Sequence, residues 1–166
     1  DMLLKKSTPI DPDDDAQSLH DRLSALGAEA MAETLDLLVA GRLSPEKQDD
    51  SLTCYAPMLK KELGCVDWNN SPAKIKNLVR GVTPWPGAYT YLDGKSLKIF
   101  KVRISDGTGE PGTVLKADKN GIEVACSGGS LFIDELQLEG KKRLAAAEFL
   151  AGCRFSAGMI LGAKEL

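Results

Sequence analysis

Residues 83–102 read TPWPGAYTYLDGKSLKIFKV. A tryptophan stands between two prolines, a glycine follows, and two runs rich in aromatic and β-branched residues are split by Asp93-Gly94. An Asp-Gly pair between such runs marks a two-residue hairpin turn, whose central positions both need positive φ. Pro84 and Pro86 lack the amide hydrogen a helix needs, and each disfavours helical backbone at the residue before it. A helix is therefore expected to end here, with the chain leaving it straight and Trp85 held as a packing anchor at the entry to a sheet. With 2 Trp in 166 residues and an aromatic share of 5%, Trp68 and Trp85 are expected to carry packing beyond their number.

On the upstream side, Ser71 is a good N-cap and Pro72 suits the first helical position. In AKIKNLVRGV, residues 73–82, Ile75, Leu78, Val79 and Val82 form one apolar face, leaving Lys74, Lys76 and Arg80 largely on the other. On the downstream side, Leu97 and Ile99 share one strand parity, whereas Phe100, Val102 and Ile104 share the other. That phase change predicts a bulge at Ile99–Phe100. Two further hairpin units follow, turning at Asn120-Gly121 and at Ser127-Gly128-Gly129, and LAAAEFLAG (144–152) reads as a helix. Five or six short strands with helices at the margins indicate an α+β chain built on a small, closed or partly open barrel of the OB type, a sandwich being the alternative.

The first part of the chain is different. DMLLKKSTPI (1–10) reads as the end of a strand, so the chain is expected to begin inside a larger unit. Leu19, Leu23, Leu26, Met31, Leu35 and Leu38 have helical spacing, read as two helices, about 15–26 and 28–40, broken at Gly27 and stopped by Gly41. The acidic run Asp13–Asp15 suits a helix N-terminus. Residues 44–68 lack sustained periodicity and read as a connection.

Residues 1–50 hold 5 Lys and Arg against 12 Asp and Glu, a charge of −7, whereas residues 51–166 hold 16 against 12, a charge of +4. Only the second part suits a polyanionic partner. No run approaches the roughly 18 apolar residues of a membrane span, and the composition reads as a soluble, cytoplasmic chain. Four widely spaced cysteines and one histidine give no metal-binding pattern, and reduced, mostly buried thiols are expected. The sequence holds no G-x-G-x-x-G, P-loop, H-E-x-x-H or G-x-S-x-G motif. The glycines of SDGTGEPG (105–112) lie between strands, where a phosphate cradle is not expected, and His20 reads as a surface residue. What remains is a set of cations on the barrel: Lys98, Lys101 and Arg103 on one strand, and Lys141, Lys142 and Arg143 before the last helix. Such residues suit a nucleic-acid backbone, because each neutralised phosphate releases counterions.

VRGVTPWPGAYT (79–90) resembles the R-x-[FL]-x-P-W-P-G-A-[YW]-T signature of the methionyl-tRNA formyltransferase family. TCYAPMLKKELGCVDW (53–68), PGTVL (111–115), GIEVAC (121–126) and LQLEGKKRLAAAEFLAG (136–152) are similar to later segments of that family, and the first 40 residues to the end of its catalytic domain. The resemblance implies the helical tail of a Rossmann-like formyltransferase domain at 1–43, a linker at 44–68 and an OB-like tRNA-binding domain at 69–166. It implies transfer of a formyl group from 10-formyltetrahydrofolate to the methionyl amino group of initiator tRNA in translation initiation, without metal. An acyl transfer of this kind needs a base and oxyanion donors. By the resemblance these lie before this chain, Asp1 matching the second aspartate of a D-T-G-D loop, so the chain by itself is expected to be inactive.

Lys61, Arg80, Lys141, Lys142 and Arg143 fall on basic positions of the family pattern and are implied to face tRNA. Met58 stands where the pattern has a lysine, and Lys60 is the candidate replacement; Leu138 stands where the pattern has a proline. The whole enzyme is expected to be a monomer, and this chain to self-associate through an exposed N-terminal edge. The alternatives are a related formyltransferase acting on an amino-sugar nucleotide, a formyltetrahydrofolate hydrolase, or a stand-alone OB-type module.

Overall fold

The computed structural model describes residues 1–153 and 155–162. They form two compact units, Asp1–Met58 and Leu59–Leu166.

The first unit is organised by one helix, α1 (Ala16–Val39). Asp15 caps it: its carboxylate accepts from the Ser18 amide at 2.8 Å, and the Ser18 hydroxyl accepts from the Asp15 amide at 3.1 Å. The neighbouring Asp14 is buried and accepts from the Arg22 guanidinium, which also donates to the Pro9 carbonyl at 2.7 Å. These contacts hold the Asp14 carboxyl far below its usual range. The expected break at Gly27 is absent, and the helix runs through it. A mid-helix glycine costs about 1 kcal/mol relative to alanine, but here Ala25, Leu26, Ala28, Glu29 and Ala30 flank it, all strong helix formers. The helix stops where expected. Gly41 has φ +63, its amide donates to Leu38 and the Arg42 amide to Leu37, which satisfies the last carbonyls. The strand expected at the start is reduced to a single bridge between Met2 and Glu46. One bridge leaves that segment without a ladder.

The second unit begins with a 3-10 turn at Lys61–Gly64, then α2 (Pro72–Gly81), and continues into six strands and a last helix. The strands are β1 (Ala88–Leu92), β2 (Lys95–Ser105), β3 (Val114–Asp118), β4 (Gly121–Cys126), β5 (Gly129–Leu138) and β6 (Leu144–Ala145), followed by α3 (Ala146–Gly152). Ser71 caps α2 and Pro72 opens it, as the sequence implies. All strand pairings are antiparallel in the order β1-β2-β5-β4-β3, and β6 adds to β5 beyond the end of β4. The α+β architecture with an antiparallel sheet agrees with the OB-like expectation. Asp93 and Gly94, both at positive φ, make the predicted turn.

The predicted bulge is present. The pairing of β2 with β5 shifts register between Ile99 and Lys101 and again between Lys101 and Val102. Both Phe100 and Lys101 leave the core, and Val102 returns to it. Ile104, of the same parity, does not follow and is 54% exposed, although it pairs with the buried Leu131. The core is built from Leu97, Ile99, Val102, Ile122, Val124, Leu131, Ile133 and Leu136, with Ile75 and Val79 from α2 and Phe149 from α3. The two edge strands are each met by the segment 158–162. Gly158 and Leu161 donate to Val114 and Gly112, Val114 donates to Met159, and Tyr91 and Gly162 exchange hydrogen bonds of 3.0 and 3.2 Å.

The two tryptophans part company. Trp68 is buried, and its indole N–H donates to the buried Thr90 hydroxyl at 3.1 Å. Trp85 is 60% exposed, contrary to its expected role as an anchor. Nor does the chain leave α2 straight. The Thr83 hydroxyl donates to Val79 at 2.7 Å, and the Gly87 amide reaches back to Val82 at 2.8 Å, with Gly87 at φ +84. Val82 and Ala88 fill the core on either side of this turn, so the residues at its tip face outward. The Thr83–Pro84 and Trp85–Pro86 bonds are both cis.

Thr90→Val tests the polar link between Trp68 and Thr90 in this core. It removes the acceptor of a buried indole N–H, and a drop of about 1–3 kcal/mol in unfolding free energy is expected. Chemical denaturation measures it, and an unchanged midpoint would show that the indole has another partner.

Candidate nucleic-acid interface

The bulge decides which side chains share the outer face of the sheet. In the β2–β5 pairing Lys98 lies opposite Gln137, Lys101 opposite Glu135 and Arg103 opposite Phe132. Strand β5 makes the same change of phase: between the inward Ile133 and Leu136 stand Asp134 and Glu135, both out of the core. Two consecutive residues on each strand thus join the outer face, which carries Lys98, Phe100, Lys101 and Arg103 from β2. From β5 it receives Phe132, Asp134, Glu135 and Gln137. Tyr89, opposite Lys98 on β1, extends it.

Arg143, one residue before β6, reaches onto this face because β6 pairs with β5 at Glu135 and Leu136. Its Nε and Nη2 donate to the two oxygens of Glu135 at 2.7 and 2.6 Å, and its Cζ lies 4.2 Å from the centroid of the Phe100 ring. Arg103 repeats the design. Its Nε donates to the Asp134 carboxylate at 2.9 and 2.8 Å, its Nη2 to the Asn120 carbonyl at 2.9 Å, and its Cζ stands 5.0 Å from the Phe132 centroid. Each guanidinium is therefore fixed by a carboxylate in its plane and a phenyl ring beneath it, while the side chain stays about half exposed. Lys98 and Lys101 are exposed on the same face, and Lys141 and Lys142 on the adjoining turn. That turn is held by the Gln137 side-chain amide donating to the Lys141 carbonyl at 2.7 Å and by the Lys141 amide donating to Leu138 at 2.9 Å. A shallow cleft of about 210 Å³ lies beside it, lined by Ser96, Lys98, Gln137, Leu138, Glu139 and Gly140.

The remaining expected cations sit elsewhere on the unit. Lys60 and Lys61 are exposed at the start of the 3-10 turn, and Arg80 lies in the last turn of α2, donating through Nε to Asn77 at 3.0 Å. Arg80 stands just before the Pro84–Gly87 turn in the chain, and the 3-10 turn that begins at Lys61 meets that turn at Gly64. Gly64 packs so closely on the Gly87 carbonyl that a Cβ at Gly64 would overlap it. Sequence reasoning missed Phe100, Phe132, Asp134 and Glu135 as parts of the face. Only the phase change at Phe100 hinted at one of them. Among the described residues no cluster of His, Cys, Asp and Glu could hold a metal ion. The cysteines are not mostly buried as expected: Cys54 is exposed and Cys65 and Cys153 are half-buried, while Cys126 is buried and that burial pushes its thiol up to about 11.

Residues 58–154 match the family model described as formyl transferase, C-terminal domain. The chain belongs to that family. Members of wider extent are close in sequence: methionyl-tRNA formyltransferase of Geotalea uraniireducens is 67% identical over 99% of this chain and 53% of its own length. The enzyme of Geobacter sulfurreducens is 65% identical over 98% of this chain and 51% of its own length, and that of Caldanaerobacter subterraneus 48% over 97% and 52%. The chain thus spans about half the length of the curated relatives it matches. Among solved structures, HypX from Aquifex aeolicus in complex with tetrahydrofolic acid superposes with a TM-score of 0.55 at 24% identity, covering 74% of this chain and 22% of HypX. That likeness speaks to the fold alone. Within this formyl transferase C-terminal domain the β2–β5 face is the largest concentration of the expected cations.

The Glu135–Arg143 pair makes a pH prediction. The guanidinium holds the Glu135 carboxyl below its ordinary value, against the opposing effect of burial. A depressed folded-state value stabilises above the ordinary carboxylate range, and that stabilisation disappears as the pH falls below it. The stability difference between the native chain and Glu135→Gln is expected to be at most about 1 kcal/mol at neutral pH, given the pair's exposure, and to vanish in acid. Denaturation midpoints across pH measure it, and a difference independent of pH would refute the pair's contribution.

Proposed function

We propose that this chain is the C-terminal part of a methionyl-tRNA formyltransferase. Residues 1–43 belong to the catalytic domain, 44–68 to the linker and 69–166 to an OB-like domain that binds initiator methionyl-tRNA. The whole protein moves a formyl group from 10-formyltetrahydrofolate to the methionyl amino group of that tRNA, in the cytoplasm. What supports this reading is the joint presence of the family match and a cation-bearing outer sheet face in the unit the match covers. The runner-up readings within the same superfamily do not require an RNA-binding face.

In the tRNA reading the cations divide by their surroundings. Lys98, Lys101, Lys141 and Lys142 are exposed ammonium groups suited to phosphates. Lys60, Lys61 and Arg80 form a second approach near the Pro84–Gly87 turn, with Lys60 in place of the lysine absent at Met58. Arg103 and Arg143 share the face of the first set, each paired with a carboxylate. Among the described residues no helix is long and apolar enough to cross a membrane.

Titrating tRNA into the chain at two salt concentrations tests the reading. Binding is expected to weaken steeply with salt. Replacing Lys98, Lys101, Lys141 and Lys142 by Ala is expected to flatten the salt slope by about one unit for each phosphate that is no longer neutralised. Binding that ignores salt, or its absence, would sink the proposal.

The chemistry is assigned to the half of the relatives that this chain does not match. The isolated chain is accordingly expected to show no formyl transfer from 10-formyltetrahydrofolate, measured by the appearance of formylmethionyl-tRNA. Robust turnover by this chain would mean that the catalytic groups are within it.

A further inference from the structure

Each of the two arginines on the β2–β5 face has the Nε–Nη2 edge of its guanidinium already taken by protein acceptors. A guanidinium grips a phosphate through two in-plane N–H groups, and in Arg143 the Nε and one Nη edge already donate to Glu135. In Arg103 the Nε serves Asp134 and an Nη serves the Asn120 carbonyl. Their charges are balanced by carboxylates in contact. Besides the N–H groups of Nη1, each guanidinium offers its flat surface: one side lies over a phenyl ring, at 4.2 Å for Arg143 on Phe100 and 5.0 Å for Arg103 on Phe132. The side chains remain 51% and 55% exposed.

We infer that Arg143 and Arg103 are stacking platforms for unpaired nucleobases. The inference rests on the RNA-binding reading above and names which part of the RNA this face takes. A fixed planar cation stacks well on a base of any identity, and because each plane is already held from below and from the side, little conformational freedom is given up on binding. The rings beneath the two platforms stand on neighbouring strands, Phe100 on β2 and Phe132 on β5, and Phe100 and Arg103 are three residues apart on β2, roughly 10 Å by strand rise. Exposed Lys98 and Lys101 lie along the same strand, where they meet the phosphates joining successive nucleotides. The face is thus divided: planes for bases, ammonium groups for the backbone. A double-stranded stem, whose bases are stacked on one another, satisfies only the lysines.

The division is testable with charge-preserving variants. The probes are an unstructured 12-nucleotide RNA, an abasic oligonucleotide with the same number of phosphates, and a blunt RNA duplex. The native chain is expected to prefer the base-bearing single strand to the abasic one. Arg143→Lys, which keeps the charge and can keep a contact to Glu135 but has no plane, is expected to weaken binding of the base-bearing strand at least about fivefold. It should leave the abasic strand and the salt slope unchanged. Phe100→Leu and Arg103→Lys should act in the same direction, with circular dichroism confirming that each variant stays folded. Equal affinity of the native chain for abasic and base-bearing strands would overturn the inference, as would equal weakening on both in Arg143→Lys. If all three RNAs bind alike with a steep salt dependence, the RNA-binding reading stands and the stacking inference falls. If none binds, both fall.

Discussion

The paired change of phase in β2 and β5 governs the second unit. A strand presents alternate residues to opposite faces, yet Phe100 with Lys101 and Asp134 with Glu135 each place two successive residues on one side. The core gains from it. Ile99 and Val102, like Ile133 and Leu136, stay inside on both sides of the slip, while Asp134 and Glu135 stay out of the core. Because the slips lie opposite one another, the displaced residues meet: acids from β5 come against cations on β2 and on the segment entering β6. The same geometry that bends the sheet assembles the outer face.

That assembly alters what the basic residues are worth. Counted in the sequence, the cations of the second part suggest a uniformly positive strip. In three dimensions Arg103 and Arg143 are neutralised locally and held in place, whereas the lysines of the same face stay exposed to solvent. The field such a surface presents is lower than the count implies, and it is uneven, with orientation supplied by the arginines and long-range attraction by the lysines.

Local signals were legible in the sequence. Ser71 and Pro72 set the start of α2, Asp93-Gly94 set the hairpin, Gly41 ended α1, and the parity change announced the bulge, because each depends on the backbone preferences of a few adjacent residues. Tertiary outcomes were not. Gly27 does not break α1, since the helix formers around it outweigh one weak position. Trp85 points outward because Val82 and Ala88 already occupy the space its hydrophobicity was expected to claim. The cations were identifiable as residue types and their sharing of a strand was visible at Lys98, Lys101 and Arg103. Their pairing was hidden, because Glu135 meets Arg143 only once β6 is known to lie beside β5. The aromatic rings beneath the arginines were invisible for the same reason: nothing in a strand pattern says which residue of a neighbouring strand will lie across from it.

The segment 158–162 makes hydrogen bonds to both edge strands, to β3 through Gly112 and Val114 and to β1 through Tyr91. These hydrogen bonds join residues far apart along the chain, so they close a large loop and form late relative to the local hairpins. Until they form, the amides of Tyr91 and Val114 lack these partners. The assembled sheet is therefore a substrate for unwanted strand addition during folding and a poor one afterwards. Amide exchange at Tyr91 and Val114 consequently reports the docking of one short segment, separately from the unfolding of the sheet it covers.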